Sequence, residues 1–118
     1  MTEIELEQML AAAGCSAERV TSKLVDRKIK EIEFCRPFPE KAALTVCTLL
    51  LENGFTVVGS SACASLENFR EELGKQLAFE NAREKIWGLE GYLLKEKLFR
   101  AAQESKEPSA DLRRELAP

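Results

Sequence analysis

The chain has no histidine, only two aspartates (Asp26 and Asp111), and four cysteines with no C-x-x-C pair among them. Without an imidazole it lacks the commonest general base near neutral pH, which weighs against hydrolase chemistry. Cys15, Cys35, Cys47 and Cys63 lie far apart, so four buried, reduced thiols are a better reading than a zinc site. No Gly-rich phosphate loop, nucleophile elbow, H-E-x-x-H or calcium loop is present. Glu71/Glu72 and Glu80/Glu84 have no neighbouring Asp or His to complete a metal site, and read as solvated helix faces. No catalytic residue, metal or cofactor is expected. No apolar run reaches membrane-spanning length, and the acidic opening "MTEIELEQ" lacks the basic region of a secretory leader. A cytosolic protein without a membrane partner is the expectation. Seventeen basic against twenty acidic residues give no broad positive field for duplex DNA. A small phosphorylated ligand stays open, because it needs only a few well-placed cations.

The 118 residues suit one domain with a modest core, which oligomerisation would help to stabilise. Thr2 and Glu5 form a capping box for a first helix carrying Ile4, Leu6, Met9 and Leu10 for packing, stopped by Gly14. A second short helix is expected over Ser22 to Ile29, with Leu24, Val25 and Ile29 for packing. "EIEFCRPF" alternates, placing Ile32, Phe34 and Arg36 on one face and Glu31, Glu33 and Cys35 on the other, before Pro37 and Pro39 end the strand. Arg36 there is either a charge leaving the sheet at its end or a ligand contact.

"ALTVCTLLLENGFTVVGSSAC" reads as a hairpin closed by Asn53-Gly54, the pair that a two-residue type I′ turn prefers. That turn would oppose Leu50 to Val57 and Val46 to Ser61 on one face, and Leu51 to Thr56, Leu49 to Val58 and Cys47 to Ser60 on the other. Both faces carry large apolar groups, whereas a small antiparallel sheet normally leaves one face wet; a partner subunit is the economical cover. In "GSSAC", Gly59, Ser60 and Ser61 can be read as donors to a phosphate or as the end of a strand.

Ser65 is a candidate N-cap for a long helical region to about Lys106. Leu66, Phe69, Leu73 and Leu77 keep to one stripe, while at about 100° per residue Ala82, Ile86, Leu89 and Leu93 fall half a turn around. Either the helix bends or breaks near Trp87-Gly88, or one straight helix packs its first half on its own sheet and its second half on another chain. Trp87, Leu94 and Leu98 widen the apolar surface of the second half, as in subunit-bridging helices. The fold class is therefore α+β: a three-stranded antiparallel sheet, short N-terminal helices and a long C-terminal helical region, oligomeric, over residues 1–106. The polar tail 107–118 contains Pro108; Arg113 and Arg114 sit either on a last turn capped by Ser109 or in mobile chain. Asn81 stands beside the phase change with Phe79, Arg83 and Lys85 near it and Lys97 and Arg100 further on. Such residues serve either for packing and surface charge, or as the stacking faces and phosphate forks of a nucleotide site.

The run "LTVCTLLLENGFTVVGSSACASLENFREELGKQLAFENAREKIWGLEGYLL" closely resembles a widespread family of small tailed-phage proteins, in which T-V-C, N-G-F/Y-T-V, G-x-S-A-C, N-F, E-N-A, K-I-W and L-E-G-Y-L-L recur in this order. That family includes the Thoeris anti-defence sponges, which sequester the cyclic ADP-ribose-type signal of bacterial TIR enzymes; some also hold CBASS cyclic oligonucleotides. The chain departs from the family at Ser60, where glutamate is frequent, at Gly88, where proline is frequent, and at Cys35, where histidine is frequent. The resemblance implies a non-enzymatic homo-oligomer, a dimer or a trimer of dimers, in the cytosol of the bacterial host. It binds a cyclic nucleotide signal intact at subunit interfaces, with Arg36, Phe69, Phe79, Asn81, Arg83, Lys85 and Arg100 as candidate ligand-binding residues. Two alternatives stand beside it: a phage protein that inhibits a host protein through its apolar helix, and a metal-dependent enzyme that degrades the signal.

Overall fold

The computed structural model describes residues 2–14 and 17–106; the expectations for Cys15 and for the tail with Arg113 and Arg114 fall outside them. Two strands, β2 (Ala43–Leu51) and β3 (Thr56–Cys63), are joined by a turn of three residues where two were expected. Leu51 N–H donates to Phe55 O at 2.8 Å, and Gly54 N–H donates to Leu51 O at 2.9 Å. Gly54 sits at φ 90°, and no described non-glycine residue has positive φ. Asn53 therefore cannot supply the left-handed conformation that type I′ requires. The turn is type I followed by a left-handed glycine, and the Asn53 amide oxygen accepts from Phe55 N–H two residues on.

One extra turn residue slides the register by one. Leu49 pairs with Val57, Cys47 with Gly59 and Thr45 with Ser61, so Val57, Gly59 and Ser61 join the face of the odd-numbered β2 residues. The third strand, β1 (Ile29–Cys35), pairs antiparallel with β2 and completes the order β1-β2-β3. Ile32 and Phe34 oppose Leu49 and Cys47, sharing one face as the alternation predicts.

That face is covered by α3 (Glu71–Lys106), a single helix of 36 residues, about 54 Å long at 1.5 Å per residue. It runs through Gly88 and Gly91 unbroken, which removes the broken-helix alternative. Ser65 does not cap it: the Ser65 hydroxyl accepts from Glu67 N–H and its carbonyl from Asn68 N–H, forming a separate turn that takes Leu66 and Phe69 off the helix. Ala78, Ala82 and Ile86 are fully buried against Cys47, Leu49, Leu51 and Val57, while Leu73 and Leu77 stay exposed. The stripe that packs on the protomer's own sheet is thus the second of the two read from the sequence, not the first as expected, because the small Ala78 and Ala82 let the helix approach the strands where Leu73 and Leu77 would hold it off.

Helix and sheet meet most closely at Gly59. A Cβ added there would lie 2.1 Å from the Ala82 nitrogen and 2.6 Å from the Ala78 oxygen. A neighbouring tie forms where Ser61 Oγ donates to Gly74 O at 2.8 Å.

The N-terminal elements are α1 (Glu3–Ala12), opened by the expected Thr2/Glu5 capping box, and α2 (Ser22–Lys28), capped by Thr21 and burying Val25. α1 buries no residue, in contrast to its expected packing role. On the other sheet face Leu44, Val46 and Leu50 are half-buried and Val58 is exposed, matching the expected two-sided apolar character. Of the described thiols only Cys47 is buried; Cys35 and Cys63 are exposed on outer strands, which corrects the expectation of buried cysteines. Burial pushes the Cys47 thiol pKa up.

Gly59→Ala should destabilise the fold by about 3 kcal/mol or more, because the added carbon meets helix backbone that cannot yield locally. Gly88→Ala meets nothing within 4 Å and should stabilise by about 0.5–1 kcal/mol through helix propensity. Urea denaturation of the two variants checks both signs.

Candidate functional site

The seven candidate residues fall into separate groups on one protomer. At the end of β1, the Arg36 guanidinium stacks on the Phe69 ring, 4.1 Å from its centroid. Arg36 Nη2 donates to Pro39 O at 3.0 Å and to Ala42 O at 3.3 Å, bracing the chain that the prolines turn. Its buried Nε–H meets no acceptor among the described residues, and neither does the buried Thr45 hydroxyl find a partner. Both flank the same ring, since the space beside Gly74 is bounded by Thr45 Oγ1 and by Phe69. Arg70, which donates from Nη1 to Phe69 O at 2.9 Å, adds a second cation, while Lys75, whose Nζ lies 5.6 Å from the Phe34 centroid, is paired with Glu71 at 3.5 Å. Beside Phe69 a cleft of about 190 Å³ runs between the end of β3 and the start of α3, lined by Ser61, Cys63, Asn68, Arg70, Leu73 and Leu77 among others.

A second group lies along β3, an edge strand whose outward carbonyls need partners. Asn81 Nδ2 donates to Ser60 O at 2.8 Å, and one turn on, Lys85 Nζ donates to Val58 O. The two side chains point the same way because they are four residues apart on a helix. Asn81, unexplained by propensity, thus has a structural task, and Ser60 offers its carbonyl there.

Arg83 faces α1 and α2. Its Nε donates to Asp26 Oδ1 at 2.9 Å, Nη2 to Ser22 O at 3.3 Å, and Nη1 to the Glu3 carboxylate, 2.6 Å from Oε1. Burial works against its charge, but the Glu3 and Asp26 bonds outweigh this and raise the guanidinium pKa. Trp87 Nε1 donates to the same Glu3 carboxylate at 2.7 Å. Phe79 packs against the core. Arg100 pairs with Glu96 one turn away at 3.0 Å, and stands about 28 Å along the helix from Asn81.

Size and charge separate the two clefts that flank α3. The α1–α3 groove, about 710 Å³, is lined by Glu3, Glu7, Glu80 and Glu84 against Arg19 and Arg83, a negative balance that repels phosphates. The Phe69 cleft is lined by one cation, Arg70, and no carboxylate, but falls short of the roughly 300–1,000 Å³ typical of small-molecule sites. Among the described residues no three His, Cys, Asp or Glu side chains converge as a metal cage, and no helix is long and apolar enough to cross a membrane. Sequence reasoning placed Arg36 with Phe34 but missed Arg70, because the turn that brings Phe69 back beneath Arg36 depends on the late start of α3.

Residues 16–98 match the phage protein (N4 Gp49/phage Sf6 gene 66) family. The chain belongs to that family. No curated protein and no solved structure matches it. The matched span begins after α1 and includes the sheet, the Phe69 turn and most of α3, so this family member carries both the Arg36–Phe69 stack and the Asn81–Lys85 edge pair within the shared region.

Asn81→Ala should lower stability by about 0.5–1 kcal/mol, the net worth of one exposed hydrogen bond, and speed amide exchange along β3. Urea denaturation with hydrogen-exchange mass spectrometry checks this; an unchanged midpoint and unchanged β3 exchange would remove the edge role.

Proposed function

We propose that this phage protein binds and sequesters a cyclic nucleotide signal of bacterial defence without cleaving it, and that copies of the chain complete its sites. The ligand class is a cyclic ADP-ribose isomer or a cyclic di- or trinucleotide. The observation that carries this reading is the Arg36–Phe69 stack: an aromatic face, a guanidinium with an unmet buried N–H, and an unmet hydroxyl on Thr45, beside a cleft free of carboxylates. A base or ribose stacks on such a ring, and a phosphate takes charge-assisted bonds from such a fork. The cleft is too small for the ligand within one protomer, and the exposed Leu73 and Leu77 at its lip are suited to burial against a second chain. A dimer or trimer of dimers is the assembly this reading requires. The sponge-like motifs of Leu44 to Leu94 favour the same class of ligand. With no carboxylate or imidazole lining the cleft, binding without chemistry is the simpler assignment.

A second reading has its own support: Tyr92, Leu93, Leu98 and Phe99 form an exposed apolar surface on the far half of α3, suited to a protein partner. Native mass spectrometry with a panel of cyclic ADP-ribose isomers and cyclic oligonucleotides, followed by heat release and chromatography with and without magnesium, distinguishes the readings. Sequestration predicts an even-numbered oligomer that returns ligand intact. Arg36→Ala should weaken binding by about 1–3 kcal/mol, and Arg36→Lys, which keeps the charge but loses the fork, should recover only part of it. A well-folded oligomer that ignores the whole panel would leave the apolar helix surface and a host protein; a cleaved product would establish the enzyme.

A further inference from the structure

The first helix is held to the rest of the protein almost wholly by charge. None of its residues is buried, and Ile4, Leu6 and Met9 are 61, 48 and 55 % exposed. Two carboxylates tie it: Glu3, which accepts from Arg83 and Trp87, and Glu7, which accepts from Ser22 N–H at 2.6 Å. Arg83 has two halves. Its α2 half holds Asp26 and the Ser22 carbonyl, and its α1 half holds Glu3. Removing Glu3 therefore leaves the cation paired and α2 in place, so α1 can leave without stranding a charge. The groove between them has Ile4, Leu6 and Leu10 on the α1 wall and Val20, Arg83 and Trp87 on the other.

We propose that α1 is an electrostatically latched strap, closed by the Glu3–Arg83–Trp87 contact, whose release uncovers Trp87 and the apolar wall of this groove while the sheet and α3 stay folded. A helix bound by buried apolar area would be insensitive to salt; one bound by partly exposed ion pairs is weakened by screening. Local opening of such an element precedes global unfolding.

Trp87 is the only tryptophan, so its fluorescence reports the latch directly. Raising sodium chloride from about 0.01 M to about 1 M, which shortens the screening length from about 30 Å to about 3 Å, should shift its emission to the red and increase acrylamide quenching. Glu3→Gln should produce the same state at low salt. In both cases α1 amides should exchange about tenfold faster or more, with β2 amides unchanged, and trypsin should cut after Arg19 more readily. If either Glu3→Gln or salt leaves Trp87 emission and α1 exchange unmoved, the latch is overturned. It is equally overturned if α1 and β2 lose protection together, since α1 would then belong to the cooperative core.

Discussion

The close approach of α3 to β3 at Gly59 governs the rest of this structure. A helix normally stands off a sheet by the length of two layers of side chains. Here one layer is missing: Gly59 offers no side chain, and Ala78 and Ala82 offer only methyls. The helix backbone settles onto the strand, and this contact sets which residues of β3 face inward. In the register expected for a two-residue turn, Ser60 would face Ala82, and its Cβ would collide with the helix backbone. The three-residue turn is the one compatible with the packing.

The same approach explains why the polar residues of α3 are spread around it. With the helix lying beside the sheet edge, Asn81 and Lys85 reach the outward carbonyls of β3 and protect that edge from pairing. On the other flank Arg83 collects the charges of the two N-terminal helices. The late start of α3 leaves a turn that folds Phe69 under Arg36, placing an aromatic face and a guanidinium where the sheet ends. A segment read as one candidate nucleotide pocket thus divides into structural ties along the helix and a separate Arg36–Phe69 corner at its beginning.

A helix this long outruns the sheet it covers. Its core stripe continues through Leu89 and Leu93 after the sheet has ended, and both are exposed. Together with the apolar residues on the open face of the sheet, they leave the protomer with more apolar surface than its own elements cover. The proposed assembly joins this surplus to the incomplete Phe69 cleft, since one packing event would both bury the stripe and enlarge the site.

Local chemistry was legible in the sequence because its partners are close in the chain: the Thr2/Glu5 capping box, the alternation of β1, the hairpin at Asn53-Gly54, and the amphipathic repeat of Ala82, Ile86, Leu89 and Leu93. The α+β class follows from those elements. Other features depend on contacts between distant residues and were decided only by tertiary structure. Asn-Gly suits two turn lengths of similar local energy, so the fit of Gly59 against Ala82, across more than twenty residues, selects the register. Ser65 is as good a cap for a short turn as for a long helix, and the position of Phe69 beneath Arg36 favours the turn. Side-chain tasks followed suit: Asn81, Lys85 and Arg83 are ordinary polar residues on a helix until the neighbouring strand and helices determine which carbonyls and carboxylates they meet.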